Sequence, residues 1–301
     1  MATHAQPSEL FRERAIAARE QLLDSLPVRE RKVELAGIAT ALLEGGEGLP
    51  LILLHGPGEF AGAWMRVIPQ LVSSHRVIAP DLPGHGSSAA GRAPLDADRV
   101  MEWLGALIDE TCPSPPILVG HLLGGAIAAR FAARHGDRLA QLVLVDSLGL
   151  APFRPAPKFA FTMMHFMMRP NERTYDRFMK QCSLDLDELR DQMGERWEPF
   201  AAYNVASARN KETKSALRAL MREVGLPAIS HEELARIDVP TALVWGRHDR
   251  ANRLRVAEAA SARYNWPLHV IEESADDPGR DQPAVFVDVL RHILRDDEVD
   301  L

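Results

Sequence analysis

Ile117-Leu118-Val119-Gly120-His121-Leu122-Leu123-Gly124-Gly125 is a short apolar run that breaks into glycines and then continues, from Leu123 to Arg134, with the apolar spacing of a helix. A strand that reverses sharply into a helix crowds its own neighbours, and only small residues fit around such a turn. Gly120, Gly124 and Gly125 meet that need. Leu122 is therefore expected at the apex of the turn, with its side chain above the edge of a sheet.

The apolar run before Gly120 begins at Pro116, and five more compact apolar runs occur at Leu49 to Leu54, Arg76 to Pro80, Leu139 to Val145, Thr241 to Trp245 and Leu268 to Ile271. Helical patterns lie between them at Ala61 to Leu71, Asp96 to Glu110, Leu123 to Arg134, Arg253 to Tyr264 and Pro283 to Leu294. Strands that read as nearly continuous apolar runs are buried on both faces, so the pattern predicts an α/β fold with a doubly wound, mostly parallel sheet. Arg31 to Ala36 and Ile38 to Leu43, joined at Gly37, read as an antiparallel hairpin. Leu10, Phe11, Ala15, Ala18, Leu22 and Leu26 repeat near 3.6 residues and predict an amphipathic helix stopped by Pro27. The stretch from Ala151 to Ile237 is too long for one crossover and contains several helical pieces, among them Glu172 to Gln181, Leu184 to Met193 and Lys211 to Val224. The expected organisation is an N-terminal helical extension over 1–30, a core over 31–150 and 238–301, and an inserted helical cap over 151–237.

Two further segments extend the pattern. One is Leu53-Leu54-His55-Gly56-Pro57-Gly58, followed by Ala63-Trp64 and by Val77-Ile78-Ala79-Pro80-Asp81-Leu82-Pro83-Gly84-His85-Gly86-Ser87-Ser88; the other is Leu243-Val244-Trp245-Gly246-Arg247-His248-Asp249. Together with the strand-turn-helix segment, these resemble the oxyanion loop, nucleophile elbow and acid turn of the α/β-hydrolase fold, in register from about Glu34 to Leu294 with the cap least similar. The resemblance implies a capped hydrolase of the lipase, esterase or C–C-hydrolase branch. It places the nucleophile at Leu122, the acid at Asp249 and the oxyanion-hole region at Gly56, Pro57, Gly58 and Leu123.

Three departures from the family pattern stand out. Leu122 has neither a lone pair to attack a carbonyl nor a proton for a base to remove, so acyl-enzyme chemistry is excluded at that position. Aligning Ile271 to Phe286 with the family's histidine loop puts Asp276 where the histidine belongs. Pro57 lacks the backbone N–H that would complete the oxyanion hole, a loss worth about 10²–10³ in rate where it has been isolated in an active enzyme. Ser87, Ser88, Ser147 and Ser274 sit at the wrong structural addresses to replace the missing serine. The triad is expected to be degenerate, with Asp249 alone surviving.

Around these positions, Asp249 and Asp276 are expected to approach each other, and two adjacent buried carboxylates raise one another's pKa into the range of a general acid or base. The plainer reading makes Asp276, Asp277 and Arg280 a solvated loop. Glu59 points either into the pocket or to solvent; His121 and His85 read as structural, although His121 adjoins the pocket. Met163, Met164 and Met167 either line a pliable apolar pocket or fill core.

The formal charge of −7 disfavours a general nucleic-acid binder. Cys112 and Cys182 form no disulfide framework or zinc spacing, and the N-terminus lacks the apolar stretch of a signal peptide, so a cytoplasmic protein is expected. Ala156 to Met168 is too short to span a bilayer. No motif for a nucleotide, metal or other cofactor is present, so none is expected, and the partner is read as a small apolar molecule, with a homodimer possible. The function is then either a diverged, non-covalent enzyme acting on a small apolar carbonyl or ester-like compound by proton transfer, cyclisation, elimination or water-mediated hydrolysis, or a catalytically inactive pseudo-hydrolase that binds a small ligand or signals.

Overall fold

The computed structural model describes residues 7–296, with side chains described from 13 to 294. In chain order its elements are α1 (Pro7–Leu23), β1 (Arg29–Leu35), β2 (Ile38–Gly45), β3 (Leu49–Leu54), α2 (Ile68–Leu71), β4 (His75–Pro80), α3 (Ala97–Thr111), β5 (Ile117–His121), α4 (Leu123–His135) and β6 (Gln141–Val145). They continue with α5 (Pro157–Met168), α6 (Glu172–Cys182), α7 (Leu186–Met193), α8 (Trp197–Ser207), α9 (Lys211–Leu220), α10 (His231–Leu234), β7 (Thr241–Gly246), α11 (Arg255–Tyr264), β8 (Leu268–Ile271), α12 (Pro278–Asp281) and α13 (Pro283–Asp296).

The eight strands form one sheet in the order β1-β2-β4-β3-β5-β6-β7-β8, antiparallel where β2 meets β1 and β4 and parallel from β4 to β8. This is the α/β-hydrolase architecture predicted from the alternating runs. Leu35 pairs with Ile38 across Ala36 and Gly37, both with positive φ, as a two-residue hairpin turn requires. The strands at the centre carry apolar residues on both faces because helices cover both. Trp103 of α3, Phe131 of α4 and Ala257 of α11 lie in the core on one side, while Ile68 of α2 and Phe286 and Leu290 of α13 lie in the core on the other.

One expectation needs correction. The helix predicted over Ala61 to Leu71 is a 3₁₀ turn at Ala61–Trp64 followed by the short α2, because Pro69 near the start of α2 has no N–H to continue a helix from the preceding turn. Between β6 and β7 the chain forms six helices, including α5 and α8, whose apolar sequences do not show the one-sided periodicity that identifies a surface helix.

The N-terminal helix is part of the core. Ala18, Leu22 and Leu26 are buried, and Arg19 binds Asp81 at 3.0 Å and Glu30 at 2.6 Å beneath the ring of Phe60. Leu10, Phe11 and the acidic Asp297-Glu298 tail fall outside the residues whose side chains are described, as does the side chain of Asp296.

Candidate functional site

The elbow forms at Leu122, where φ is +44° and ψ −104°, a conformation that costs a side-chain-bearing residue on the order of 1–3 kcal/mol. It is held from both sides: Leu122 N–H donates to Val145 (3.0 Å), and Leu122 C=O accepts from Leu148 (3.1 Å) and from Ala126 (3.0 Å) in the first turn of α4. The glycine frame is steric. A Cβ on Gly124 would lie 2.3 Å from the carbonyl oxygen of Leu54, so only glycine lets α4 start this close to β3. The elbow geometry is kept although its apex carries a leucine that is only 7% exposed.

The loop after β3 is fixed by His55, whose Nδ1–H donates to the Gly56 carbonyl (2.8 Å) while Nε2 accepts from Leu82 N–H (3.0 Å). That leaves His55 neutral, and its burial pushes its pKa down to about 4. Glu59 then turns back so that its carboxylate accepts from Gly56 N–H at 2.9 Å. A loop amide beside the elbow thus has the chain's own carboxylate on it. Gly58, also assigned to the oxyanion-hole region, has φ +79° and faces Leu217 of α9, which would lie 3.6 Å from a Cβ there. Leu123, also assigned to this region, is fully buried at the start of α4.

On the other side of the elbow lie Asp249, after β7, and Asp276, between β8 and α12. Asp249 Oδ1 accepts from Ala251 and Asn252 N–H (2.6 and 2.8 Å), which locks the acid turn. Its Oδ2 is buried with no donor in reach, and so is Oδ2 of Asp146, at the end of β6. Both acids are held well above the usual carboxylate range, first by burial and then by neighbouring carboxylate charge, Asp249 for Asp146 and Asp276 for Asp249. Two acceptor oxygens without donors are satisfied together by one shared proton, and we read Asp146 and Asp249 as such a pair. Sequence reading missed Asp146; its place directly after the apolar run of β6, at the carboxyl end of a parallel strand, was the available signal.

The solvated-loop reading of Asp276, Asp277 and Arg280 is overturned. All three, and Asp281, are at most 8% exposed. Arg280 reaches Asp276 (3.1 Å), Asp277 (3.3 Å), Glu59 (3.9 Å) and Asp281 (3.9 Å), and also donates to the Cys182 carbonyl at the end of α6 (3.0 Å). Burial raises Asp276 to about 7 and Asp281 to about 6, against the downward pull of Arg280. His121 departs from its purely structural reading as well. Its Nε2–H donates to the Asp276 carbonyl (2.7 Å), its Nδ1 lies 3.7 Å from Glu59, and the charges of Asp277 and Glu59 outweigh burial to raise it to about 9. It is an imidazolium at neutral pH and therefore no base. Glu59, despite burial, is held at about 2 by His121 and Arg280. His269 and His292 pack edge-on at 6.0 Å on β8 and α13.

Among the described residues, Glu59, His121 and Asp277 each present one metal-ligand atom within 4.8 Å of the others. Arg280 and the His121 imidazolium already supply two positive charges to those carboxylates, and a metal would have to displace a proton and work against the guanidinium. The methionines divide. Met163 is half-buried against the core and Met167 partly exposed, whereas Met164 is 57% exposed and faces solvent, which removes it from any pocket. What the assembled groups offer chemically is proton transfer: two buried cations, one strongly acidic carboxylate, and in Asp276 and Asp281 two carboxyls raised to about 7 and 6.

The chain was compared with known proteins. It is 28% identical over 263 residues to a pimeloyl-[acyl-carrier protein] methyl ester esterase of Aeromonas hydrophila, covering 83% of this chain and 96% of that one. It is 30% identical over 233 residues to a 2-hydroxy-6-oxo-6-(2'-aminophenyl)hexa-2,4-dienoic acid hydrolase of Metapseudomonas resinovorans, covering 73% and 75%. The crystal structure of naproxen esterase from Bacillus subtilis superposes with a TM-score of 0.79 at 18% identity, covering 97% of this chain and 99% of that one. The model of the alpha/beta hydrolase family matches residues 51–289. With the sheet order, the elbow and this match in agreement, the chain belongs to the alpha/beta hydrolase family.

Proposed function

We propose that this chain has left covalent serine chemistry and acts by general acid–base catalysis on a small apolar carbonyl or ester-like compound. The observation that carries this reading is Asp276, whose carboxyl is raised to about 7 in the loop that carries the family's histidine, next to the acid turn of Asp249. A group that titrates near the working pH is suited both to taking and to returning a proton. In a hydrolytic cycle, ionised Asp276 takes a proton from water as the water oxygen bonds to the carbonyl carbon. A protonated carboxyl of the Asp146–Asp249 pair gives a proton to the departing alkoxide, and transfer from Asp276 back to the pair restores the site. Leu122 contributes shape only. The relatives' names, a methyl ester esterase and a dienoic acid hydrolase, support a carbonyl substrate class.

A second reading, a pseudo-hydrolase that binds a small ligand without turnover, is favoured by the Glu59 carboxylate on Gly56 N–H, which sets a negative charge beside the place where an oxyanion would form. Turnover of short- and medium-chain aryl esters by the parent, by Asp276→Asn and by Leu122→Ser with Asp276→His separates the two. Turnover in proportion to parent protein that Asp276→Asn abolishes supports the acid–base enzyme. An inert parent beside an active double variant sinks it and leaves a binding protein in an esterase shell.

A further inference from the structure

Helix α5 is apolar on two opposite faces. Phe159 and Phe166, seven residues apart, are buried and pack against Phe178, with Phe166 also on Tyr175, both of α6. Phe161, Met164 and Met168 are 71%, 57% and 70% exposed. At 3.6 residues per turn these three fall within an arc of about 60° on the side away from Phe159 and Phe166. Of the eight large hydrophobic side chains exposed among the described residues, three therefore stand on one face of one helix. A contiguous ridge of that kind marks an interaction surface, whereas the scattered remainder does not.

The charge around the ridge identifies the partner. Lys158 lies one turn before Phe161, and Arg169 follows Met168 at the end of the helix, both exposed. From 154 to 180 the chain carries six Lys and Arg, all exposed, against Glu172 and Asp176, a surplus of four positive charges in a protein whose total is −7. Asp176 is moreover paired with Arg190 at 2.7 Å. A second copy docked ridge to ridge about a two-fold axis would bring these cations against themselves. The ridge is the outer surface of a helix, which an anionic bilayer accommodates without a matching groove: apolar side chains enter the acyl boundary while lysine and arginine meet lipid phosphates.

We propose that α5 is a peripheral docking surface for anionic lipid, with Phe161, Met164 and Met168 inserting and Lys158 and Arg169 on the headgroups. The inference is independent of the acid–base reading. The test is co-sedimentation of the full chain with vesicles of phosphatidylcholine alone or with one quarter phosphatidylglycerol, at 50 and 500 mM NaCl. Binding is expected only to the anionic vesicles, at least tenfold weaker in high salt. Phe161→Ser with Met164→Ser and Met168→Ser should lower it at least tenfold with unchanged thermal unfolding, and Lys158→Glu with Arg169→Glu should do so while keeping the ridge. Equal binding to both vesicle types, no binding, or triple-variant binding like the parent's would overturn the proposal. So would light scattering that shows a parent dimer and a monomeric triple variant, which would give the ridge to a second copy, or vesicle-independent capture by an acidic protein partner that both variants abolish.

Discussion

Arg280 donates through one nitrogen to the carboxylate of Asp276 at 3.1 Å while the same nitrogen donates to the carbonyl of Cys182 at 3.0 Å. One guanidinium thereby joins the loop after β8 to the end of α6 in the helical insertion. Arg250 supports the same helix end, donating to the carbonyls of Gln181 and Ser183, both at 3.1 Å. Between them, the two arginines fasten the insertion over the elbow and supply positive charge where a helix presents its negative end.

Removing the guanidinium should therefore damage the fold as well as the site. Arg280→Met leaves Asp277 and Glu59 with buried charge that His121 and, for Asp277, the partly buried Arg66 offset only in part, and breaking one partner out of a buried ion cluster costs about 3–5 kcal/mol. For a domain of this size the midpoint of thermal unfolding is expected to fall by about 8 °C or more. Arg280→Lys should recover little, because an ammonium cannot span Asp276, Asp277 and the Cys182 carbonyl at once. A melting curve within about 2 °C of the parent for Arg280→Met would show that the cluster reorganises without it.

His121 should lose its charge at lower pH once Glu59 is neutral. Glu59→Gln keeps an acceptor for Gly56 N–H but removes the anion 3.7 Å from Nδ1, leaving Asp277 as the main support for the imidazolium. The His121 ring resonances, followed by NMR from pH 6 to 10, are expected to titrate near 9 in the parent and at least one unit lower in the variant. An unchanged midpoint would assign the shift to Asp277 and the Asp276 carbonyl alone.

Most of the fold was legible because it follows from local rules: β-runs buried on both faces, a glycine-framed turn, a hairpin with room for two residues. The break in the helix after Ala61 was missed because Pro69 sits at a position where proline also starts helices, and the pattern of apolar residues alone does not separate the two cases. At the site, Leu122, Asp249 and Asp276 were found from motif positions. The burial of Arg280 was not, since Asp276-Asp277-Pro278-Gly279-Arg280-Asp281 reads like a solvated turn, and it is Trp64 and Phe286 beside Gly279 and the end of α6 on Arg280 that cover it. Asp146 escaped for the opposite reason: a single aspartate after a strand is ordinary until the adjacent strand places Asp249 beside it.

The shared proton of Asp146 and Asp249 gives an unusual expectation for a charge-removing substitution. In Asp146→Asn, the amide oxygen keeps the bond from Gly246 N–H (3.0 Å in the parent), and the amide nitrogen replaces the proton donated to Asp249. Asparagine also tolerates the φ of +45° at this position. Asp249 then ionises without the second carboxylate of the pair, with Asp276 left as its like-charged neighbour, so the variant should gain about 1 kcal/mol over the parent at pH 8.5 and little at pH 5. Urea midpoints at the two pH values check this, and a loss at pH 8.5 would argue against the pair.

The same linkage fixes how the whole protein responds to pH. Asp276 and Asp281 are raised to about 7 and 6 in the folded chain from an ordinary carboxylate value of 3.8, so below neutrality the folded state holds protons that the unfolded state has released. Their contribution is complete below about pH 4 and is lost as pH rises to 7. His121, raised to about 9 from 6.5, stabilises fully below 6.5 and ceases to do so as pH rises through 9. Glu59 acts in the opposite sense, its contribution present above 4.5 and lost as pH falls toward 2. Stability should accordingly peak on the acid side of neutrality, with a higher unfolding temperature at pH 5.5 than at 8.5. Asp276→Asn should flatten the slope between pH 5 and 7 and leave that between 7 and 9, which His121 shares with the Asp146–Asp249 pair. A parent whose unfolding temperature rises steadily to pH 8.5 would mean that these carboxyls are ionised and solvated in the folded protein, and the acid–base reading of Asp276 would fall with them.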